Sequence, residues 1–295
     1  PSSFKYKFGR TGLEAVGAPP PGNVEATGGT VSVQSGIKLH VFKSPGTFSV
    51  TSAPSSATLT YVVIGGGGGA ADDITGGGGA GAWKEGTIAL GGAATAPVTI
   101  GAGGAGERSP SSPPFPANSN PNGTATEAGG ATTFAYPGTP ISSGGGARTN
   151  NRAATNGSNG GSGSGGRSPN SGGTSPGDPF PGTPGPSPSN GYGNDGGSGT
   201  GHGGGGGGAG GTGGTGPSYP DNATPSGAGG AGIQVPTSFR HLGHPVPFGY
   251  PGPNGGQFWF AGGGSGGVHQ NPSGLANSGG GGGAGGVANT YAGAG

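Results

Sequence analysis

The sequence predicts a fold that is all-β and irregular: a small antiparallel β module followed by a bundle of packed polyglycine II helices with long loops, and essentially no α-helix. Three observations carry that expectation. Glycine (84) and proline (30) together make up roughly two-fifths of the 295 residues, so they recur too often for a helix of useful length. Short apolar/polar alternations punctuated by Gly, Pro and Ser occupy residues 24–100, the pattern of antiparallel strands with one buried face. Within the glycine tracts, non-glycine residues fall three apart, the period of a three-residue-per-turn helix.

Taken in chain order, residues 1–23 read as an N-terminal attachment arm and Pro-rich spacer. Phe4–Arg10 has the character of a strand or arm, and Pro19-Pro20-Pro21 favours stiff polyproline II. Residues 24–106 read as a β module with the first glycine tracts. Its strands are expected at Val31-Ser32-Val33, Ile37 to Phe42, Phe48-Ser49-Val50 and the more continuous Leu59–Ile64, then at Trp83–Leu90 and Pro97–Ile100. Residues 107–295 read as the polyglycine II bundle with Pro/Ser/Asn/aromatic loops. Its main tracts are 203–216 and 279–286, and they join the earlier tracts 65–69 and 76–81.

The three-residue phase has a physical consequence. Ala102 and Ala105, then Ala209, Thr212 and Thr215, then Pro225, Ala228 and Ala231 each keep to one phase, as do Leu275, Ser278, Gly281, Ala284, Val287 and Thr290. In an extended three-fold helix those side chains share one face, and the other two faces are bare backbone that neighbours can approach closely. Such a helix makes no internal hydrogen bonds, so its N–H and C=O groups must pair sideways. Several tracts packed together offset the entropic cost of ordering glycine; one tract alone does not. Collagen needs unbroken Gly-X-Y, which runs such as Gly203–Gly208 do not provide.

Charge and composition exclude several functions. Eleven Lys+Arg against ten Asp+Glu leave a net charge of +1, with no basic block to attract nucleic acid or an anionic membrane. No apolar run approaches the ~18 residues of a membrane span, so no membrane insertion is expected. The absence of cysteine removes disulfides and thiolate metal sites. Pro1-Ser2-Ser3-Phe4-Lys5-Tyr6 lacks the apolar stretch of a secretory signal. With no methionine in the chain, loss of an initiator Met ahead of Pro1 would fit synthesis in a cytoplasm followed by release.

Chemistry-bearing residues are sparse. Tyr61–Ile64 before Gly65 supplies a strand, but no helix follows it and no Gly-Lys-Ser/Thr occurs, so neither a dinucleotide fingerprint nor a P-loop is present. His241 and His244, beside Phe239 and Arg240, have a spacing that could share a metal; as polar loop residues they need none, and no metal or cofactor is expected. Carboxylates are too few and unpatterned for acid–base catalysis, so the chain is read as non-enzymatic. Aromatic residues among Pro, Asn and Gly are better candidates for surface recognition, because Tyr and Trp give broad contact at low entropic cost. The candidate contacts are Phe115, Phe180, Tyr192, Tyr219, Phe239, His241, His244, Phe248 and Tyr250. For these aromatics a second role, as hydrophobic lids on the glycine core, stands beside recognition. Trp83 is assigned to packing, and for the alternating Phe258-Trp259-Phe260 packing as a strand is favoured over recognition.

Segment 28–64, running through Ile37-Lys38-Leu39-His40-Val41-Phe42 and Tyr61-Val62-Val63-Ile64 into Gly65–Gly69, resembles glycine-rich virion proteins of tailed phages, especially those of marine cyanobacteria. Trp83-Lys84-Glu85-Gly86 and Pro97 to Gly104 resemble the next block of such proteins. The later tracts are similar to the polyglycine II sandwich of T-even-type tail-fibre tip adhesins. The resemblance implies a virion structural protein made in the host cytoplasm, a tail fibre or tip adhesin whose loops contact a host surface glycan or protein. It also implies other virion proteins as partners and, by analogy, a homo-oligomer such as a trimer. A capsid or tail decoration protein without receptor role, or a secreted glycine-rich matrix or ice-binding protein, would share much of this composition.

Overall fold

Alternation becomes strand wherever turn residues let the chain reverse. A computed structural model of the protein describes residues 23–71, 75–106, 126–149, 157–167, 172, 192–218, 226–245, 248–249 and 257–267. The strands are β1 (Glu25–Thr27), β2 (Thr30–Gln34), β3 (Ile37–Val41), β4 (Gly46–Ser52), β5 (Thr58–Ile64), β6 (Trp83–Ala89), β7 (Ala94–Thr99), β8 (Thr132–Tyr136), β9 (Thr139–Ser143), β10 (Ile233–Gln234) and β11 (Trp259–Phe260). Ser35 and Gly36, both at positive φ, close the β2–β3 hairpin in the manner of a two-residue primed turn. The described residues contain one short 3₁₀ turn, Thr237–Phe239, and no α-helix.

Five strands form an antiparallel sheet in the order β1-β4-β7-β8-β9, and β2–β3, β5–β6 and β10–β11 are separate ribbons. The β5–β6 ribbon packs on the five-stranded sheet, and Phe48, Val50, Val63, Ile88, Val98 and Phe134 bury their side chains together there. Phe48 and Phe134 meet edge to face at 5.9 Å, a favoured aromatic arrangement. The β8–β9 hairpin corrects the expected division at residue 106. Thr132–Ser143 falls in the region expected to hold loops of the bundle, yet it forms a hairpin whose turn is Pro137-Gly138. Pro140 is tolerated because β9 is an edge strand, where a missing N–H leaves no ladder bond unmade. The sheet therefore takes strands from both sides of the expected boundary.

Between and beyond the strands the glycine tracts form a lattice. Tract 203–209 lies at its centre. Its N–H groups donate in rotation: Gly203, Gly206 and Ala209 to the carbonyls of Gly267, Gly264 and Ala261; Gly204 and Gly207 to Gly166 and Gly163; Gly205 and Gly208 to Gly214 and Gly211. Its carbonyls accept in the same rotation, from Gly227 and Gly230, from Gly77 and Ala80, and from Gly197. Six tracts thus surround it, and the bonding repeats every three residues.

That geometry dictates the residue type. A Cβ at Gly203 or Gly206 would fall on the carbonyls of Thr75 or Gly78. One at Gly204 or Gly207 would fall on those of Gly197 or Asn194, and one at Gly205 or Gly208 on those of Ala228 or Ala231. All three phases are closed, so the central run is unbroken glycine. Outer tracts keep one open phase. Ala102, Ala105, Thr212, Thr215, Ala228 and Ala231 are all exposed, as the three-residue spacing predicts. Ala209 departs from this pattern: the chain reverses there, and the residue is buried. Pro225 and the 275–290 series lie outside the described residues.

Candidate functional surface: the two ends of the glycine bundle

Strand connections give the bundle a direction. Tract 65–71 leaves β5, tract 101–106 leaves β7, tract 144–149 leaves β9 and tract 261–267 leaves β11. Tracts 75–82, 126–131 and 226–232 return to β6, β8 and β10. The β elements therefore sit at one end, the base. At the opposite, distal end lie Ala71 and Thr75, Gly106 and Thr126, Thr149, Ser218 and Ser226, and Gly267. The bonds Gly267 N–H to Thr75 O, Gly203 N–H to Gly267 O and Gly227 N–H to Gly203 O fix this register.

The base is closed by apolar side chains. Trp83, wholly buried, exchanges both backbone hydrogen bonds with Tyr192 (3.0 and 2.7 Å), and Ile233, Val235 and Phe258 pack around the pair. The indole N–H of Trp83 donates to Glu85 Oε2 at 3.1 Å. A cavity of about 1300 Å³ opens beside this plug, between β3 and β5, with Phe48, Phe134, Phe239, Phe248 and Phe260 among its lining. Tyr61 also lines it, and burial pushes the Tyr61 hydroxyl pKa above its ordinary value.

The distal end is closed by hydroxyls. Thr149 Oγ1 accepts from the Ala71 N–H (2.6 Å), Thr75 Oγ1 donates to Ala71 O (2.7 Å), and Thr126 Oγ1 donates to Thr149 O (2.6 Å). The Arg148 guanidinium adds a bond to Thr126 O at 3.0 Å. All three threonines are buried, so these bonds replace the water that would otherwise meet the last backbone groups.

The contact candidates among the described residues all lie at the base. Tyr192 is 2% exposed and serves as a lid, because its backbone bridge to Trp83 holds it inside the plug; the expected position in an exposed loop is corrected. His241 and His244 are buried at 3% and 8%, and they too leave the expected surface. His241 Nδ1 lies 2.8 Å from Ser32 Oγ, and His244 Nε2 3.3 Å from Thr30 O, so both tie residues 235–245 to β2. Phe239 and Phe248 are partly buried against the base plug, and the Phe248 ring meets His244 edge to face (5.0 Å) and Phe258 at a tilt (5.2 Å). Phe115, Phe180, Tyr219 and Tyr250 lie outside the described residues. Among the described residues no group of three or more His, Cys, Asp or Glu side chains could hold a metal ion.

Sequence reasoning missed the distal threonines. Their signal was position: each stands at the end of a tract, where a polar side chain can reach backbone groups that have run out of neighbours. Asn194 was also missed; its side-chain amide donates to Gly208 O and Ala209 O (2.8 and 3.0 Å) where the central tract reverses.

Comparison with known proteins adds one positive finding. A family model described as a glycine-rich domain matches residues 43–295, from the turn before β4 to the last residue. No curated protein and no solved structure matches the chain. A match of that extent takes in most of the β module and every glycine tract, and the chain belongs to the glycine-rich domain family.

Proposed function

We propose that the protein is a virion structural component, a tail fibre or tip adhesin, in which polyglycine II helices form a stiff shaft that carries loops toward a host surface. The observation that supports this reading most directly is the polarity of the bundle. Segments 107–125 and 219–225 begin and end at distal-end residues, on the far side from the β module. Bonding that repeats every three residues along a tract with six neighbours is the pattern polyglycine II would make. A core held by backbone pairing is indifferent to what its loops contain, which suits a surface whose loops vary. In this reading Phe115 and Tyr219 are the contact aromatics. The base, with residues 1–22 leading from it, faces other virion proteins, and oligomerisation of this chain occurs there.

The test is a pair of loop replacements. Exchanging 107–125 and 219–225 for Gly/Ser segments of equal length should abolish binding to cells that the parent particle infects, with melting temperature unchanged. Retained binding by a folded double replacement would remove the adhesin role and leave a fibre or decoration protein.

A further inference from the structure

Two β ribbons at the base share one layer and leave a gap between them. The five-stranded sheet presents Phe48, Val98 and Phe134 on one face, and β5–β6 packs there through Val63 and Ile88. The β2–β3 ribbon meets the same face: the His40 ring stands edge to face with Phe48 at 5.2 Å, and Phe42 packs against the same cluster. Yet β3 and β5 do not pair. The cavity of about 1300 Å³ separates them, and residues 37–43 and 58–67 line it without interruption. Alternate side chains of a strand point to opposite sides, so an unbroken lining means that the strand edges, not their faces, open on the gap. Hydrogen bonding fixes which backbone groups are left over. Gly65 N–H donates to Ala82 O and Leu90 N–H to Ala57 O, so the odd-numbered residues of β5 bond toward β6. Antiparallel pairing alternates, which turns the N–H and C=O of Thr58, Thr60, Val62 and Ile64 outward. In the β2–β3 hairpin Gln34 and Ile37 are the closing pair, so Lys38 and His40 turn theirs outward from β3. Among the described residues none of these groups has a backbone partner. Thr58, Thr60 and Lys38 are exposed, and Val41, Phe42, Val62 and Ile64 are only half-buried, so solvent reaches both edges.

We infer that the gap takes a strand donated by another polypeptide, which joins β2–β3 and β5–β6 into one sheet opposite the sheet β1-β4-β7-β8-β9. The backbone chemistry calls for a strand: two unpaired edges face one space, and an added strand bonds to both. The dimensions suit a polypeptide. The volume exceeds the roughly 300–1,000 Å³ of small-molecule pockets, and the lining takes in more residues than the roughly 20–30 that one side of a stable interface uses. The two faces of β5 show what the donated side chains meet. Leu59, Tyr61 and Val63 join the cluster of Phe48 and Phe134, whereas Val62 and Ile64 join the plug with Phe239, Phe248 and Phe260. A strand set beside β5 is therefore buried on both faces, and such strands are continuous apolar runs of roughly five to seven residues rich in Val and Ile. The choice of another chain as donor rests on the reading of the base as the side that meets other virion proteins.

The probe is a fluorescent peptide, Lys-Lys-Val-Val-Ile-Val-Val-Lys-Lys, titrated into the full-length protein. It should bind saturably. N-methylating alternate amides, in either of the two registers, should weaken it at least about tenfold, because each set of methyl groups removes the donors to one ribbon. Thr60→Pro deletes an outward N–H that the free protein leaves unused, a change edge strands tolerate, so melting temperature should hold while peptide affinity falls at least about tenfold. Thr60→Ala keeps that N–H and should bind as the parent does. No saturable binding, or binding indifferent to N-methylation, would overturn the assignment; if Thr60→Pro does not fold, the methylated peptides decide alone. Self-association of the unmodified protein that Thr60→Pro abolishes would overturn the choice of donor in favour of a second copy. A fibre without a receptor role would still bind the peptide, and an adhesin that does not bind it would still lose cell binding on loop replacement, so the two readings fail separately.

Discussion

At the scale of single residues, glycine here is a packing residue. In an ordinary core, deleting atoms leaves a cavity; in this one, adding a single carbon displaces a hydrogen-bonded carbonyl. Gly206 and Gly91 make the contrast. A Cβ at Gly206 would land on Gly78 O, whereas at Gly91 nothing lies within 4 Å. Gly206→Ala should therefore lower stability by about 3 kcal/mol or more, the upper range of overpacking, since neither backbone can move without breaking its own bonds. Gly91→Ala should stay within about 0.5 kcal/mol of the parent. Paired thermal melts decide this, and equal effects would mean that the lattice yields to side chains. The requirement was legible in sequence only as a period: the spacing of Thr212 and Thr215 showed that two phases must be bare, but not which neighbour each phase meets.

At the scale of elements, the strands that sequence revealed best are those whose alternation meets one apolar face. Phe48-Ser49-Val50 and Leu59–Ile64 belong to that group. The β8–β9 hairpin was hidden because prolines that would break a central strand sit harmlessly in a turn and on an edge. The base plug was half legible. Trp83 and Phe258–Phe260 read as packing, but Tyr192, His241 and His244 sit among Gly and Pro, and nothing local reveals that they pair with residues more than a hundred positions away. The β5–β6 ribbon supplies a test of how dry that region is. Tyr61 stands opposite Gly86, and burial holds its hydroxyl pKa above the ordinary value. The neutral phenol is thus favoured in the folded state. Its contribution is complete below the unfolded tyrosine value of about 10 and is lost as pH rises through the higher folded value. Melting temperature should fall between pH 9 and 11 more steeply in the parent than in Tyr61→Phe. Parallel curves for the two proteins would mean that Tyr61 is solvated in solution.

At the scale of the whole molecule, the balance of buried surface differs from that of ordinary domains. Only 27% of residues are hydrophobic, and the centre of the bundle buries peptide groups rather than side chains. Apolar and peptide surface have opposite effects on the heat capacity of unfolding: exposing apolar area raises it by about 0.45 cal/K/mol/Å², and exposing polar area lowers it by about 0.26. The denaturant slope responds to both in the same sense, because urea solvates peptide groups as well as apolar ones. The two quantities, which rise together in ordinary proteins, should therefore separate here. Calorimetry should find a heat capacity change clearly below the usual 12–15 cal/mol/K per residue (approximate values), alongside a urea slope ordinary for the chain's size. A small heat capacity change also flattens the stability curve, so stability should vary less with temperature than in a domain with an oily core of equal length. An ordinary heat capacity change would place the stabilising burial in the β module and the base plug, and would reduce the glycine lattice to a passenger on them. The expected value would make the lattice itself, with its N–H and C=O groups paired across six directions, the element that holds the molecule together.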